Sequence, residues 1–477
     1  MSVGRIFALT LLGSGWIAAA VLWFQPPPEP SSPPSKTAQA EDSTDPLLDV
    51  VKHWSGASGF AAASLGVCIL GPDGEKLAGF NDEISLVPAS ALKTVTTGAA
   101  LELLGPDLTF ETTVAAAAEQ TPEGVIQGDI VLIGSGDPTL SADDLESLAE
   151  AVAATGVKSI SGRIIADASA FPEAGASDHW VWGDVGNGFG AGIYGLNIGH
   201  NRYAARFDPA DELGQPAKFL GSTPELPGVS WTNLVTTGAA GSGDGVMIHS
   251  GPYAKTITLR GTVPAGEPGF TVNGAVPDPP ALAAHFFDAA LRKRGITIAA
   301  EAQTTRGMPP PRAPHRLASH KSKPISEIIP HLHAVSDNVE AQSLFLKMGG
   351  SDAVRQLWQK RGVTLSGLRM EDGSGLARAT RIRPADLARV NFLARHGQTG
   401  ELFHASLSSS RGGEVRSKGG AMSGVRADVG FLTTAEGKEF TYAVIANGLA
   451  RGADFWGFRD AVLDAADPSK KQDEAVE

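Results

Sequence analysis

A single cysteine, Cys68, occurs in this chain of 477 residues, so no intramolecular disulfide can form and the fold must be stabilised by its hydrophobic core. Hydrophobic residues make up 42% of the sequence, which is ample for such a core, and the length predicts two or three domains. The 52 acidic and 39 basic residues leave a net charge of -13. Because phosphate binding needs concentrated positive charge, this composition argues against nucleic acid as the main partner.

The N-terminal segment predicts export. Arg5 precedes an apolar run from Ile6 to Phe24. We interpret residues 1–25 as a signal peptide or an uncleaved membrane anchor, with both alternatives open because the small-residue site Ala38-Gln39-Ala40 lies far beyond the run. Residues 26–46 then form a Pro/Ser-rich linker. Either alternative predicts export, which in a bacterium means a periplasmic protein, soluble or tethered to the inner membrane.

Beyond the linker the hydrophobic pattern is mixed α/β. Ala61 to Leu70 alternates as a strand, Glu75 to Phe80 is predicted to return as the second strand of a hairpin, and Pro88 opens a helix over 89–104. Further predicted elements are strands at 128–134 and 160–167 and helices at 142–155, 280–294 and 326–348. Residues 170–275 are rich in glycine, proline and short β-runs, and residues 468–477 form a charged tail.

The first candidate for chemistry is Ser90-Ala91-Leu92-Lys93. Positions i and i+3 share a helix face, so the Lys93 amine can reach the Ser90 hydroxyl. A serine needs a base to become a nucleophile, and a lysine can serve if burial or a second cation makes it neutral. Because Ser-x-x-Lys arises by chance about once in a chain of this length, the motif alone is a weak signal.

Two further polar motifs follow along the chain. Ser336-Asp337-Asn338 could relay a proton and orient a substrate amide, although a short polar tripeptide is equally a helix start. Lys418-Gly419-Gly420 lies at the head of a predicted edge strand. Taken in order, Ser-x-x-Lys, Ser-x-Asn and Lys-x-Gly form the set typical of penicillin-binding proteins and β-lactamases.

The resemblance extends beyond these motifs and covers about residues 64–448. The additional segments are Val87-Pro88-Ala89-Ser90 through Gly105, Gly134-Ser135-Gly136-Asp137-Pro138-Thr139-Leu140, Asp278-Pro279, Arg294-Gly295-Ile296 and Asp372-Gly373-Ser374-Gly375-Leu376. In motifs and spacers the chain resembles the D-alanyl-D-alanine carboxypeptidase/endopeptidase family, the low-molecular-mass class C penicillin-binding proteins.

This resemblance implies an α/β (α+β) fold in which a serine transpeptidase/β-lactamase-like domain has an antiparallel sheet flanked by helices. Residues 47–110 and 301–467 would form that catalytic domain. The long interval between Ser90 and Ser336 resembles the large inserted module of the family, here a mostly-β module over 111–300. The expected partners are peptidoglycan peptides, with β-lactam antibiotics as covalent inhibitors.

The resemblance also implies the roles of the motif residues. Ser90 would be acylated by a D-Ala-D-Ala or cross-link peptide bond, with Lys93 as general base. Ser336 and Asn338 would complete the proton relay and hold the substrate, while Lys418 keeps Lys93 neutral and attracts the substrate carboxylate. Neither a metal nor a cofactor is implied.

The strand after Lys418 departs from the family. The backbone N–H groups of Ser90 and Ala421 would form the oxyanion hole, beside Gly419 and Gly420 in the substrate-binding strand. The family has threonine or serine at position 419, so Gly419 and Ala421 leave bare two positions that commonly hold a terminal carboxylate, and the nearest replacement is Ser423. Loss of a hydrogen bond to a charged group costs about 1.5 to 3 kcal/mol, which predicts impaired binding with the nucleophile retained.

Two alternatives therefore stay open. The chain could be a catalytically weak peptidoglycan-binding scaffold of the same fold, or a serine β-lactamase, which the long insertion disfavours. A metal site at His331, His333 and Asp337 is disfavoured because i and i+2 point apart on a helix, so we expect surface histidines there.

Overall fold

The computed structural model describes residues 46–172, 175–467 and 470, all of which lie in one compact unit. The predicted signal or anchor segment at 1–25 and the linker at 26–46, except Pro46, lie outside the described residues. The same holds for the tail at 468–477, except Lys470. In the part of the chain that is described, no helix has the length and apolar character needed to span a bilayer.

The helices, in chain order, are α1 (Pro46–Ser55), α2 (Lys93–Leu103), α3 (Ala142–Ala154), α4 (Trp182–Val185), α5 (Pro279–Lys293), α6 (Ile325–Val335), α7 (Asn338–Lys347), α8 (Ser351–Lys360), α9 (Pro384–Arg395), α10 (Gly400–Ser406) and α11 (Phe455–Ala466). Short 3₁₀ turns span Ala89–Leu92, Gly188–Gly190, Gly199–Asn201 and Arg411–Gly413.

The strands are β1 (Ser64–Leu70), β2 (Lys76–Phe80), β3 (Glu111–Ala116), β4 (Val125–Ile126), β5 (Ile130–Ile133), β6 (Ser159–Ile160), β7 (Ile164–Asp167), β8 (Arg202–Asp208), β9 (Lys218–Thr223), β10 (Ser230–Gly238), β11 (Met247–His249), β12 (Thr256–Pro264), β13 (Phe270–Ala275), β14 (Thr297–Ile298), β15 (Gln303–Thr304), β16 (His315–Lys321), β17 (Ser408–Ser410), β18 (Val415–Met422), β19 (Val425–Thr433) and β20 (Glu439–Asn447).

A six-stranded antiparallel sheet joins the two ends of the described chain in the order β17-β18-β19-β20-β1-β2. Alternate residues of its central strands enter two different cores. In β20, Ala443 and Ile445 pack with helices α2, α6 and α9, whereas Tyr442 and Val444 pack with α1 and α11. Because both faces are buried, β1 and β20 are almost continuously apolar. The predicted α/β (α+β) fold with an antiparallel sheet flanked by helices is confirmed.

The remaining strands form four smaller sheets between the two halves of this one. The largest has the order β15-β7-β5-β3-β16 and mixes parallel and antiparallel pairs. Its strand β16 pairs with β3 along its length, and Ala318 packs into the same core as Val114 and Leu132. This sheet therefore continues past residue 300 to Lys321, and the boundary of the inserted module at residue 300 stays a prediction.

The predicted helix over 326–348 is two helices, α6 and α7. The first helix ends at Ser336, whose φ of 59° lies in the left-handed region that is typical of a residue following a helix. Asp337 then caps α7, since its Oδ1 accepts a hydrogen bond from the Glu340 backbone N–H at 2.9 Å. The Ser-Asp-Asn motif therefore lies at the junction of α6 and α7 and not on one face of a continuous helix.

The buried core around β5 supports a matched stability test. Leu132 is fully buried in β5, whereas Leu234 in β10 is 60% exposed. Leu132→Ala should lower the free energy of unfolding by about 2 to 5 kcal/mol, because it leaves a cavity. The same change at Leu234 should cost less than about 0.5 kcal/mol. Urea unfolding followed by circular dichroism measures both, and equal losses would contradict this packing.

Candidate active site

Ser90 lies in the 3₁₀ turn Ala89–Leu92, immediately before α2, so the helix proper begins at Lys93. Ala89 has a φ of 46° and opens this tight turn after Pro88. The Lys93 Nζ atom lies 2.9 Å from the Ser90 Oγ atom, as the i, i+3 spacing predicts. The local sequence thus brings a candidate nucleophile and a candidate base together.

Lys93 is fully buried and has two further polar partners. Its Nζ atom lies 2.6 Å from Asn338 Oδ1 and 2.8 Å from the Ser374 backbone carbonyl. Both partners only accept hydrogen bonds, and a neutral amine has two N–H bonds and one lone pair. With both N–H groups donated to these oxygens, the lone pair is left for the Ser90 hydroxyl, which is the arrangement that a general base requires.

The surroundings of Lys93 favour that neutral form. Burial, and next the positive charge of Lys418, lower its pKa to about 7. Lys418 itself is buried, which lowers its pKa to about 8 against the opposing effect of Asp428. The Lys418 ammonium donates a hydrogen bond to the Gly419 carbonyl at 2.9 Å. Lys418 is thus a second buried amine that lowers the pKa of Lys93, with burial the larger effect, and its catalytic role stays a prediction.

Ser374 is a site residue to which the sequence analysis gave no role. Its carbonyl is fixed by the Asp372 carboxylate, which accepts hydrogen bonds from Trp180 Nε1, the Ser374 hydroxyl and the backbone N–H groups of Gly375 and Ala377, at 2.7 to 3.0 Å. The resemblance of the segment from Asp372 to Leu376 to the family was the one sequence feature that could have pointed to Ser374. A backbone carbonyl leaves no side-chain pattern, so its contact with Lys93 could not be predicted.

Asn338 begins α7 and is held from two sides. Its Oδ1 meets Lys93, and its Nδ2 donates to the Phe189 carbonyl at 2.7 Å. The neighbouring Asp337 forms an ion pair of 2.9 Å with Arg202. Ser336, at the break before α7, is half-buried, and its hydroxyl makes no hydrogen bond to any other residue in the described ranges. The structure therefore joins Asn338 directly to Lys93 but not Ser336.

Strand β18 passes very close to the 3₁₀ turn of Ser90. A Cβ atom added at Gly420 would lie 2.6 Å from the Pro88 carbonyl and 2.9 Å from the Ser90 backbone nitrogen. Met422 pairs with Val425 across a two-residue turn. Along β18, the backbone N–H and C=O groups of successive residues point alternately toward β19 and away from it. This alternation turns the N–H of Ala421 toward the open edge of β18, beside the Ser90 turn.

The side-chain direction at Gly419 points away from the Ser90 turn, and Ser423 lies beyond the end of β18. A Cβ at Gly419 would lie 3.2 Å from the ring of Trp456, on the face of the sheet opposite Ser90. Ser423 is exposed in the turn between β18 and β19, beyond the end of the strand. Where the resembling family has a threonine or serine, this chain has Gly419, and the ring of Trp456 lies next to it.

The histidines near the Ser-Asp-Asn motif differ from expectation. The prediction that His333 is a surface residue is wrong: it is buried, its Nε2 lies 3.0 Å from Thr97 Oγ1 and its Nδ1 lies 2.9 Å from Ser406 Oγ. Burial, with Lys418 and Lys93 nearby, lowers its pKa to about 3. His331 is half-exposed and contacts Glu340, away from His333.

Comparison with known proteins agrees with this geometry. The model of the D-Ala-D-Ala carboxypeptidase 3 (S13) family matches residues 60–465. The chain is 32% identical to a D-alanyl-D-alanine carboxypeptidase of Actinomadura sp. (strain R39), over 79% of this chain and 76% of that protein.

Two solved structures share the fold. Penicillin binding protein 4 (dacB) from Haemophilus influenzae superposes with a TM-score of 0.75 at 23% identity, covering 85% of this chain and 94% of that one. The same protein complexed with a β-lactam gives 0.69 at 21% identity, covering 90% and 99%. The family match spans most of the described chain and includes every element that surrounds Lys93, so this chain belongs to the D-Ala-D-Ala carboxypeptidase 3 (S13) family.

Proposed function

We propose that this chain is a serine DD-peptidase that cleaves the D-Ala-D-Ala bond of peptidoglycan stem peptides, or a cross-link, through an acyl-enzyme at Ser90. The observation that carries the proposal is the environment of Lys93. Its Nζ atom lies 2.6 Å from Asn338 Oδ1, 2.8 Å from the Ser374 carbonyl and 2.9 Å from Ser90 Oγ, so in the neutral amine two N–H groups donate to the first two oxygens and the lone pair is left for the Ser90 hydroxyl. A base held in this way activates the serine without a histidine.

In acylation, the substrate carbonyl carbon exchanges its bond to the amide nitrogen for a bond to Ser90 Oγ. As Ser90 Oγ forms a bond to the substrate carbonyl carbon, its proton passes to the Lys93 Nζ atom. The carbon–nitrogen bond breaks and the proton is delivered to the departing D-alanine amine, with Ser336 as the relay that the family resemblance implies. Water next attacks the ester carbonyl carbon and passes a proton to Lys93, the bond from that carbon to Ser90 Oγ breaks, and Oγ takes a proton back from Lys93. The peptide leaves as a carboxylate, and Ser90 is regenerated.

The strand and turn around Ser90 supply the electrostatics. The N–H groups of Ser90 and Ala421 stabilise the oxyanion of the tetrahedral intermediate. The Lys418 ammonium attracts the substrate carboxylate, while the edge of β18 at Gly419 and Gly420 lies alongside the substrate backbone, with Ser423 at its end. A β-lactam carries the same carboxylate beside a strained amide, and it therefore acylates the same serine.

The charge state of Lys93 favours a peptidase over the scaffold alternative. Burying an amine and placing a second lysine near it costs stability, and a chain that only binds peptidoglycan gains nothing from that cost. The β-lactamase alternative differs in deacylation, which must then be fast. These three functions predict different fates of penicillin at Ser90.

Periplasmic localisation belongs to the same proposal. A peptidoglycan substrate lies outside the cytoplasmic membrane, and the apolar N-terminal run provides a route for export. Whether the body is released or tethered to the inner membrane depends on cleavage of residues 1–25.

Labelled penicillin tests the reaction directly. We expect the purified chain to form a covalent adduct at Ser90 that is released slowly, and Ser90→Ala to form none. Mass spectrometry of the tryptic peptide identifies the modified residue. Rapid release with turnover of the drug would instead identify a β-lactamase, and the absence of an adduct would identify the scaffold.

The pH dependence of acylation tests the role of Lys418. Below pH 7 Lys93 becomes cationic and loses its lone pair, so the acylation rate should rise with pH toward a plateau above about 7. Lys418→Met removes a repelling charge and raises the pKa of Lys93, so the rising limb should move to higher pH. Lys438→Met, the same change at an exposed site, serves as the control. If the rise of the acylation rate with pH lies at the same pH in Lys418→Met as in the unmodified chain, Lys418 does not lower the pKa of Lys93.

The missing hydroxyl at position 419 can be tested by replacement. Gly419→Thr should improve kcat/KM for a peptide ending in D-Ala-D-Ala only weakly, because the new side chain meets Trp456. Combined with Trp456→Ala, the threonine should improve kcat/KM about ten- to two-hundred-fold relative to Trp456→Ala alone, the value of a hydrogen bond to a charged group. Steady-state kinetics of the four proteins measure this. No gain in the double variant would refute the carboxylate interpretation of position 419.

A further inference from the structure

Three side chains from separate elements meet at helices α6 and α7, next to the Ser-Asp-Asn motif. His200 Nε2 lies 3.0 Å from Glu340 Oε1, and His331 Nδ1 lies 2.7 Å from the same oxygen. All three ligand atoms lie within 4.8 Å of one another. His200 belongs to the 3₁₀ turn Gly199–Asn201, His331 to α6 and Glu340 to α7. No local spacing in the sequence links all three residues.

Glu340 is the unusual member of this group. Its side chain is 1% exposed, and its Oε2 atom has no hydrogen-bond partner among the described residues. A buried carboxylate oxygen without a partner is costly, and such an atom in a native site calls for an explanation. The two histidines on its other oxygen are 29% and 50% exposed, so solvent and small ions can reach them. The group therefore combines a buried anion with accessible nitrogen ligands.

The position of His200 is fixed by its neighbour. Asn201 is fully buried, and its amide donates to the Gly192 carbonyl and to Asn197 Oδ1, both at 2.7 Å. Its own Oδ1 accepts from the Ile198 backbone N–H at 3.0 Å. These bonds hold His200 with a φ of 53°, a conformation that non-glycine residues rarely adopt. The ligand is therefore presented by a rigid turn.

We propose that His200, His331 and Glu340 form a binding site for a zinc ion, with the fourth position open to water. Two imidazoles and one carboxylate are a common three-ligand set for Zn²⁺. Tetrahedral coordination at metal–ligand distances of about 2.1 Å separates ligand atoms by about 3.4 Å. The histidine-to-glutamate distances of 3.0 Å and 2.7 Å would have to lengthen by about 0.4 Å and 0.7 Å to reach that value. The ion would also neutralise the buried Glu340.

The site has a structural consequence for the catalytic centre. Glu340 lies two residues after Asn338 on α7, and His331 lies in α6 just before the break at Ser336. The third ligand, His200, comes from the segment that also supplies Arg202 to Asp337. A bound ion would thus join the inserted part of the chain to both helices that frame the Ser-Asp-Asn motif. It acts through position and not through the reacting atoms.

Zinc titration tests the site without reference to peptidase activity. The chain without a polyhistidine tag, stripped with a chelator, should bind one equivalent of Zn²⁺ by isothermal calorimetry and gain thermal stability on binding. His331→Gln and Glu340→Gln should each weaken binding at least about tenfold, because one ligand of three is lost. Co²⁺ in place of Zn²⁺ should give the intense visible absorption of a tetrahedral site.

His315→Gln is the matched control, because His315 lies 3.8 Å from the carboxylate of Glu119 in an exposed pair outside the group of three ligands. It should bind zinc as the unmodified chain does. Circular dichroism shows whether each variant is folded, and half-exposed His331 is the position where folding is least affected. Absence of a stoichiometric site, or zinc affinity that His331→Gln leaves unchanged, would overturn the proposal. A failure of penicillin labelling at Ser90 would not bear on it.

Discussion

The active site depends on one desolvated amine. Lys93 has no exposed surface, and the low polarity around it makes the ammonium form costly. Its neutral form is matched by two acceptors, Asn338 Oδ1 and the Ser374 carbonyl, so the lone pair has one remaining partner, the hydroxyl of Ser90. Every other feature of the site serves this arrangement. Lys418 adds a repelling charge, the Asp372 network fixes the carbonyl, and the break before α7 places Asn338 where its oxygen can reach the amine.

The fold brings these groups together from distant parts of the chain. Strand β1 pairs with β20, so the segment that leads to Ser90 lies beside the last strands of the chain, and β18 lies in the same sheet beyond β20 and β19. The close approach at Gly420 explains why this position has no side chain, since even one carbon would meet the backbone of the Ser90 turn. The long insertion contributes as well, because Phe189 binds the Asn338 amide and Trp180 binds Asp372.

Features with a local signature could be predicted from the sequence. The hairpin of β1 and β2 and the i, i+3 contact of Ser90 with Lys93 follow from periodicity and motif spacing, and the sheet flanked by helices is implied by the family resemblance. Contacts made by backbone atoms or between distant elements could not be predicted. The Ser374 carbonyl has no side-chain signal, the pairing of β16 with β3 is set by tertiary packing, and the left-handed Ser336 interrupts an otherwise helical pattern. His333 looked polar in the sequence but is buried, with hydrogen bonds to Thr97 and Ser406 that only the fold supplies.

The most direct test of this account is the titration of Lys93 itself. With ¹³C-labelled lysine, the Cε chemical shift of Lys93 can be followed against pH by NMR and assigned by its disappearance in Lys93→Met. We expect a midpoint near pH 7 in the resting protein, since burial and Lys418 lower the pKa of Lys93 to about 7. A midpoint near the ordinary lysine value of about 10.4 would contradict it, because the amine would then be cationic and unable to accept the Ser90 proton.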